Sequence, residues 1–321
     1  MLQGVGVGDE EATPLAATIT WLLRHGSGMV SSIVFTWLQG SDLDHNCKKW
    51  RLFADIANDA AMCLELSGPF WPQEWLHYVL CSASVSRALV GVAGGATRTA
   101  ITQHQARKDN ISDVAAKDGS QETLVNLAAL LVNLTILPLL GNDQSLIWMV
   151  FALMTCLHIF ANYMAVKALV FETLNKDRLL LVLDSFYECQ KVPRPDEVNH
   201  RESAFFCLKE QDFCLGKKIH LGASLNVHFN ELLKVKNPAS LKAQLQEDKC
   251  LLVDSQSEVN VILSTQVQPD HLLKAFCKAF HLAKYGNQDL DYDGLKAALI
   301  QSGWNTSHLQ ISTLNWKGEF S

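Results

Sequence analysis

Charge is scarce in this chain. Only 19% of its 321 residues are Asp, Glu, Lys or Arg, and 27 basic against 33 acidic side chains leave a formal net charge of −6. With a pI near 6.0 and no Lys/Arg stripe, there is no cationic surface to displace counterions from phosphates, which argues against a nucleic-acid partner. The nine cysteines, at 47, 63, 81, 156, 189, 207, 214, 250 and 277, include no CxxC pair, so neither a zinc site nor a disulfide framework is expected. An odd number of thiols without a secretory signal fits reduced, unpaired cysteines. The opening MLQGVGVGDEE has neither the basic and apolar regions of a signal peptide nor the Arg/Ser-rich character of a transit peptide, so membrane insertion would rely on internal segments. No Ser/His/Asp, Cys/His or HExxH array is visible, and no catalytic residue and no enzyme activity are predicted. Disorder is excluded by 48% hydrophobic residues and a mean hydropathy of +0.07.

What is present is unevenly spread. Residues 1–171 carry about 24 of the charges (roughly 14%), and 172–321 about 36 (roughly 24%, the norm for soluble proteins). Thr123 to Asn142 is about 20 residues without a charge and Gln144 to Val166 about 23, each enough to cross about 30 Å of hydrocarbon. The short polar connection Gly141, Asn142, Asp143, Gln144 predicts a transmembrane helical hairpin. Upstream, Leu15 to Leu38 is interrupted by Arg24, His25, Gly26 and Gly28, and reads as two shorter helices or one polar-lined span. Trp75 to Ala96 is rich in small residues that permit close helix contact in lipid, with Arg87 interrupting it. Trp50 to Ser67 puts Asp55 and Asp59 one helical turn apart, so this helix either lies in the interface or lines a polar cavity. Arg98, Arg107, Lys108 and Lys117 before the hairpin, and Lys167, Lys176 and Arg178 after it, place both flanks and the rest of the chain on the cytosolic or equivalent side.

After Phe171 the pattern is that of a soluble domain. QKVPRPDEVNHRES at 190–203 reads as a linker, Ile219 to Leu225 alternates as a strand does, and 250–253 with 259–263 suggests a hairpin. Pro269 opens a helix with an apolar stripe at Leu272, Leu273, Phe276, Phe280 and Ala283, closed by Gly286. A second helix, about Tyr292 to Ser302, leads to a strand near Leu309 to Ile311. The predicted fold class is therefore mainly α, a polytopic helical membrane bundle followed by a small cytosolic α+β domain. The segments are 1–185 (membrane domain), 186–216 (linker) and 217–321 (C-terminal domain).

Several suggestive motifs fail on chemistry. Glycines 4, 6 and 8 do not make GxGxxG and no strand precedes them, so a helix entry capped by Asp9 or Thr13 is the better reading. Asp289, Asp291, Asp293 and Gly294 resemble half a calcium loop, yet Ile300 stands where a bidentate Glu is required. No metal is predicted. Within the hairpin, Asn126, Asn133, His158 and Asn162 are polar groups that lipid cannot satisfy, and interhelical hydrogen bonds are expected of them ahead of substrate contacts.

The segments Ser41 to Glu65 and Gly91 to Asn126, with GVGVGDEEAT, LHIFANYMAVKAL and ETLNKDRLLLVL, closely resemble the root UV-B-sensitive (RUS) family, whose core carries a vitamin B6 photoprotection and homeostasis label. The likeness is strong to about residue 185 and weaker to GWNTSHLQI. It implies a polytopic membrane protein, with plant relatives that are plastid-associated, interact with one another and are linked to seedling development, auxin transport and pyridoxal-phosphate balance. It also implies that sequence usually found before GVGVGD is missing. The matched positions are Asp9, Trp50, Arg51, Asp55, Asn58, Asp59, Arg98, His104, Arg107, Asp113, Lys117, Asp118, Ser120, Gln121 and Glu122.

Two functions follow as expectations. In one, Asp55, Asp59, Arg98, His104, Arg107, Asp118 and Gln121 line a common polar cavity that binds or moves a small anionic metabolite, the arginines supplying charge and the aspartates gating or proton coupling. In the other, the bundle is an anchor and the C-terminal domain recruits a protein. The expected partners are membrane lipids, homo- or hetero-oligomers with family members and the small anion; no cofactor is predicted, pyridoxal phosphate entering only by family association.

Overall fold

The computed structural model describes residues 14–141, 143–206, 217–228, 237–286, 290–313 and 317–318, so GVGVGDEEAT and Asn142 lie outside the described residues. The chain divides into two compact units, 1–168 and 169–321.

The first unit is helical: α1 (Pro14–Gln39), α2 (Asp42–His45), α3 (Cys47–Leu66), a 3-10 turn at Gly68–Phe70, α4 (Gln73–Gln105), α5 (Ile111–Leu140) and α6 (Gln144–Ala168). The interrupted run 15–38 is thus a single helix. Three helices, α4, α5 and α6, are long and apolar enough to cross a membrane. α4 packs against both α1 and α3, and α6 packs on α3. Small residues make the closeness possible: Ala54, Ala61, Ala83 and Ala93 are all but fully buried. At Gly28 an added Cβ would stand 3.4 Å from the Ser84 carbonyl oxygen, so glycine sets the spacing of α1 and α4 there. Trp50, Leu43, Ala54 and Ala93 form a core cluster, and Asp42 accepts from Trp50 Nε1 at 2.9 Å, fixing α2 across the start of α3. The α5–α6 connection turns at Gly141, whose φ of +53° suits glycine. Outward, α5 and α6 present Leu124, Leu131, Leu134, Leu153, Leu157 and Phe160, each more than half exposed.

The second unit contains β1 (Thr173–Asn175), α7 (Lys176–Cys189), α8 (Pro195–Arg201), β2 (Lys218–Leu221), α9 (Pro238–Glu247), β3 (Cys250–Asp254), β4 (Glu258–Ser264), α10 (Pro269–Tyr285), α11 (Tyr292–Gln301), β5 (Asn305–Gln310) and β6 (Lys317–Gly318). β3 and β4 form the expected antiparallel hairpin, with β2 and β6 parallel to β4; β1 pairs with β5 in a separate parallel ribbon. β4 alternates as a two-faced strand must: Val259, Val261 and Leu263 enter one core, Ile262 the other. α9 closes the second face with Leu241 and Leu245. α10 packs against both β4 and β5, which explains why Leu273, Ala275, Phe276, Cys277, Ala279 and Phe280 are all buried rather than one stripe alone. Burial pushes the Cys277 thiol up to about 12.

The boundary differs from the predicted one. Leu174, Leu179, Val182 and Leu183 belong to the same core as Phe276, Phe280 and Leu299, so the second unit begins at Leu169, not at 217. The segment 190–203 contains α8, buries Val192 and Val198, and is pinned where Trp304 Nε1 donates to the Pro193 carbonyl at 2.8 Å. Apart from the buried Glu202 its charged side chains are exposed while Val192, Pro193, Pro195, Val198 and Asn199 are buried, and composition alone cannot tell such an element from a linker. The predicted calcium-like segment contributes a helix cap: Asp291 Oδ1 accepts from Gly294 N–H at 3.0 Å. A buried pair, Arg178 with Glu202 at 3.2 Å, ties α7 to the end of α8, and the guanidinium lies 5.0 Å from the Phe171 ring centroid.

Candidate functional site

Three groups of charged residues in the first unit join one helix to another, and α3 builds two of them. With 3.6 residues per turn, Asp55 and Asp59 share one face of α3, while Asn58 and Glu65, seven apart, share another about 90° away. The first face meets α6 and the second meets α1 and α4.

In the first group, His158 Nδ1 of α6 lies 2.9 Å from Asp59 Oδ2. The Asp59 carboxylate is 4% exposed and its Oδ1 has no hydrogen-bond partner. One turn away, Asp55 has Arg51 Nε at 3.8 Å, and its buried Oδ2 also lacks a hydrogen bond. Two carboxylates one turn apart on α3 thus share the vicinity of the one imidazole that α6 brings to them. The expected interhelical bonds of the hairpin amides are not made: Asn162 Nδ2 donates to the His158 carbonyl of its own helix, while Asn126 and Asn133 are exposed on α5 and bond to no described residue of another helix. His158 is the member of that set that crosses between helices.

The second group joins α1, α3 and α4. Glu65 Oε1 accepts from Arg24 Nη2 at 2.9 Å and Arg87 Nε at 3.1 Å, and Oε2 accepts from Arg87 Nη2 at 2.7 Å. Arg24 Nε donates to Ser84 Oγ at 3.0 Å, and Arg87 Nη1 points at Asn58 Oδ1 at 3.4 Å. This triad is absent from the predicted site residues, although each arginine interrupts an apolar run and so marks itself as a group that needs a partner.

In the third group, Arg98 of α4 meets α5: Nη2 is 2.6 Å from Asp118 Oδ2 and Nη1 is 2.6 Å from Glu122 Oε2. All three side chains are roughly half exposed. Of the remaining predicted cavity residues, Gln121 is exposed on α5, His104 is half-buried in the last turn of α4, and Arg107 is exposed just after it. The contacts thus pair Arg98 with Asp118, and Asp59 with His158, rather than joining Arg98 to the aspartates of α3.

A comparison of the chain with known families and proteins bears on this arrangement. Residues 1–190 match the family model described as "Vitamin B6 photo-protection and homoeostasis domain", and 191–296 match "Root UVB sensitive protein, C-terminal". The chain belongs to the root UVB sensitive family. It is 33% identical over 338 residues to "Protein root UVB sensitive 3" of Arabidopsis thaliana, spanning all of this chain and 76% of the relative. "RUS family member 1" of Dictyostelium discoideum is 42% identical over 219 residues, 67% of this chain and 42% of that protein. "Protein root UVB sensitive 2, chloroplastic" of Arabidopsis thaliana is 25% identical over 271 residues, 84% of this chain and 61% of that relative. No solved structure matches. All three charged groups fall inside the vitamin B6 family segment, whose end at 190 lies within the second structural unit.

Proposed function

We propose that this root UVB sensitive protein is a multi-pass membrane protein whose helical unit binds a small anionic metabolite of the vitamin B6 class. One observation carries the reading: ion pairs that join helices across otherwise apolar segments. Asp59 is buried against His158 and Glu65 is clasped by two arginines, while α5 and α6 turn leucines and phenylalanines outward. Charges are costly in hydrocarbon, and they persist there chiefly where they line a pathway or hold a ligand. The family description supplies the class of metabolite, and pyridoxal phosphate is an anionic member of that class. Membrane lipid, and further copies of this or a related chain, are the proposed partners of the outer faces. Basic residues Arg107, Lys108 and Lys167 flanking the consecutive helices α5 and α6 favour a cytosolic or equivalent side for the C-terminal unit.

Titration of pyridoxal phosphate into the full chain in lipid nanodiscs, followed by calorimetry, tests the reading. Saturable binding is expected, and its absence refutes the proposal. If deletion of 169–321 abolishes complementation while every charged substitution of the first unit is tolerated, recruitment through the C-terminal unit is the function instead.

A further inference from the structure

Resting on that reading, we infer that Arg24 and Arg87, held together by Glu65, are the seat of a phosphate group. The argument begins with charge. Asp55, Asp59, Arg51 and His158 balance to −1, or to zero with the imidazole protonated. Arg98 with Asp118 and Glu122 balances to −1, and an anion is repelled there. Arg24 and Arg87 share one carboxylate and balance to +1; among the described residues, this is the one of the three groups that favours an anion.

Geometry agrees. A guanidinium carries five N–H donors in a planar fork matched to phosphate oxygens. Arg24 uses Nε on Ser84 and Nη2 on Glu65, which leaves Nη1 unengaged. Arg87 uses Nε and Nη2 on Glu65, and its Nη1 reaches Asn58 only at 3.4 Å. The arginine side chains are 17% and 41% exposed against 9% for Glu65, so the carboxylate is the most buried member of the group and the guanidiniums are the more accessible ones. Glu65 offsets the repulsion that would otherwise drive the cations apart, which preorganises them. Gly28, one turn beyond Arg24, packs against the Ser84 carbonyl and holds α1 at the distance the Arg24–Ser84 bond needs. A phosphate monoester of a metabolite and the phosphodiester of a lipid headgroup present the same oxygens to this fork.

The test uses the full chain in nanodiscs, titrated with inorganic phosphate and with pyridoxal phosphate, in neutral discs and in discs enriched in phosphatidylglycerol. Arg24→Gln is the primary variant because it leaves the two-pronged Arg87–Glu65 pair intact; Arg87→Lys is the second, and Arg98→Gln the control. The seat predicts that Arg24→Gln weakens phosphate binding by about tenfold or more, as expected on loss of a charge-assisted contact, with Arg98→Gln indistinguishable from wild type. If wild type binds pyridoxal phosphate and both Arg24→Gln and Arg87→Lys bind it equally well, the seat is refuted and the preceding reading stands. If the Arg24-dependent site is occupied by phosphatidylglycerol and pyridoxal phosphate does not displace it, the seat stands as a lipid site and the metabolite reading falls. If wild type binds neither phosphate compound nor anionic lipid, both fall together.

Discussion

Leu183→Ala decides where the C-terminal unit begins. Leu183 is fully buried and shares one core with Leu179, Phe276, Phe280 and Leu299, although 93 or more residues separate it from the last three. Truncation to Ala removes buried methyl groups and leaves a cavity in packing that closes incompletely, a loss of about 2–5 kcal/mol. A domain of this size has about 5–15 kcal/mol of stability in total. Each kcal/mol moves the melting temperature of a 150–250-residue domain by about 2–4 °C, so a mid-range loss near 3 kcal/mol lowers it by about 6–12 °C. The assay is thermal unfolding of a fragment comprising residues 169–321, with Ile300→Ala, at a side chain 55% exposed, as the control expected to stay within about 0.5 kcal/mol. The same reasoning requires that residues 217–321 alone, which lack Leu174, Leu179, Val182, Leu183 and Val198, give no cooperative transition. A shift below about 2 °C for Leu183→Ala, or a shorter fragment melting at the same temperature as the longer one, would refute it.

Two further outcomes are expected. In Asp248, burial works to raise the carboxyl pKa, but hydrogen bonds and charge from Lys278 and Lys274 outweigh it and hold the group below its ordinary 3.8. A depressed carboxylate stabilises the fold above its unfolded pKa, so that contribution is present above pH 3.8 and is lost as pH falls below that value through the folded pKa. Denaturant titrations of the 169–321 fragment should show this acid loss diminished in Asp248→Asn, and an unchanged acid limb would contradict it. Separately, a segment containing α5 and α6 should resist extraction from membranes by alkaline carbonate; its appearance in the soluble fraction would remove the membrane reading.

Much of the helical unit was legible because periodicity and charge density are local properties. The uncharged runs at 123–142 and 144–166 could only be long apolar helices, and the structure ends α5 at Leu140 and starts α6 at Gln144. The β3–β4 alternation and the Pro269-to-Gly286 helix were equally readable, since turn, cap and period-2 signals need no distant partner. Asp55 and Asp59 announced a polar face by spacing alone, and Arg24 and Arg87 announced themselves by interrupting apolar runs. Pairing was a different matter. That Asp59 meets His158 across 99 positions, that Arg24 and Arg87 converge on Glu65, and that Arg98 turns to Asp118 and Glu122 depend on which helix faces lie together. Helix packing is set by side-chain shape, here by Gly28 and the buried alanines of α3 and α4, and not by charge pattern. The segment at 190–203 shows the same limit from the other side. Its prolines and charges describe a chain in water, and only the tertiary contact with Trp304 and the buried Val192 and Val198 make it belong to a core. Sequence by itself determined which stretches are helix, which are apolar and where ionised groups interrupt them; the tertiary structure decided which charges neutralise one another, because that depends on distances between elements far apart in the chain.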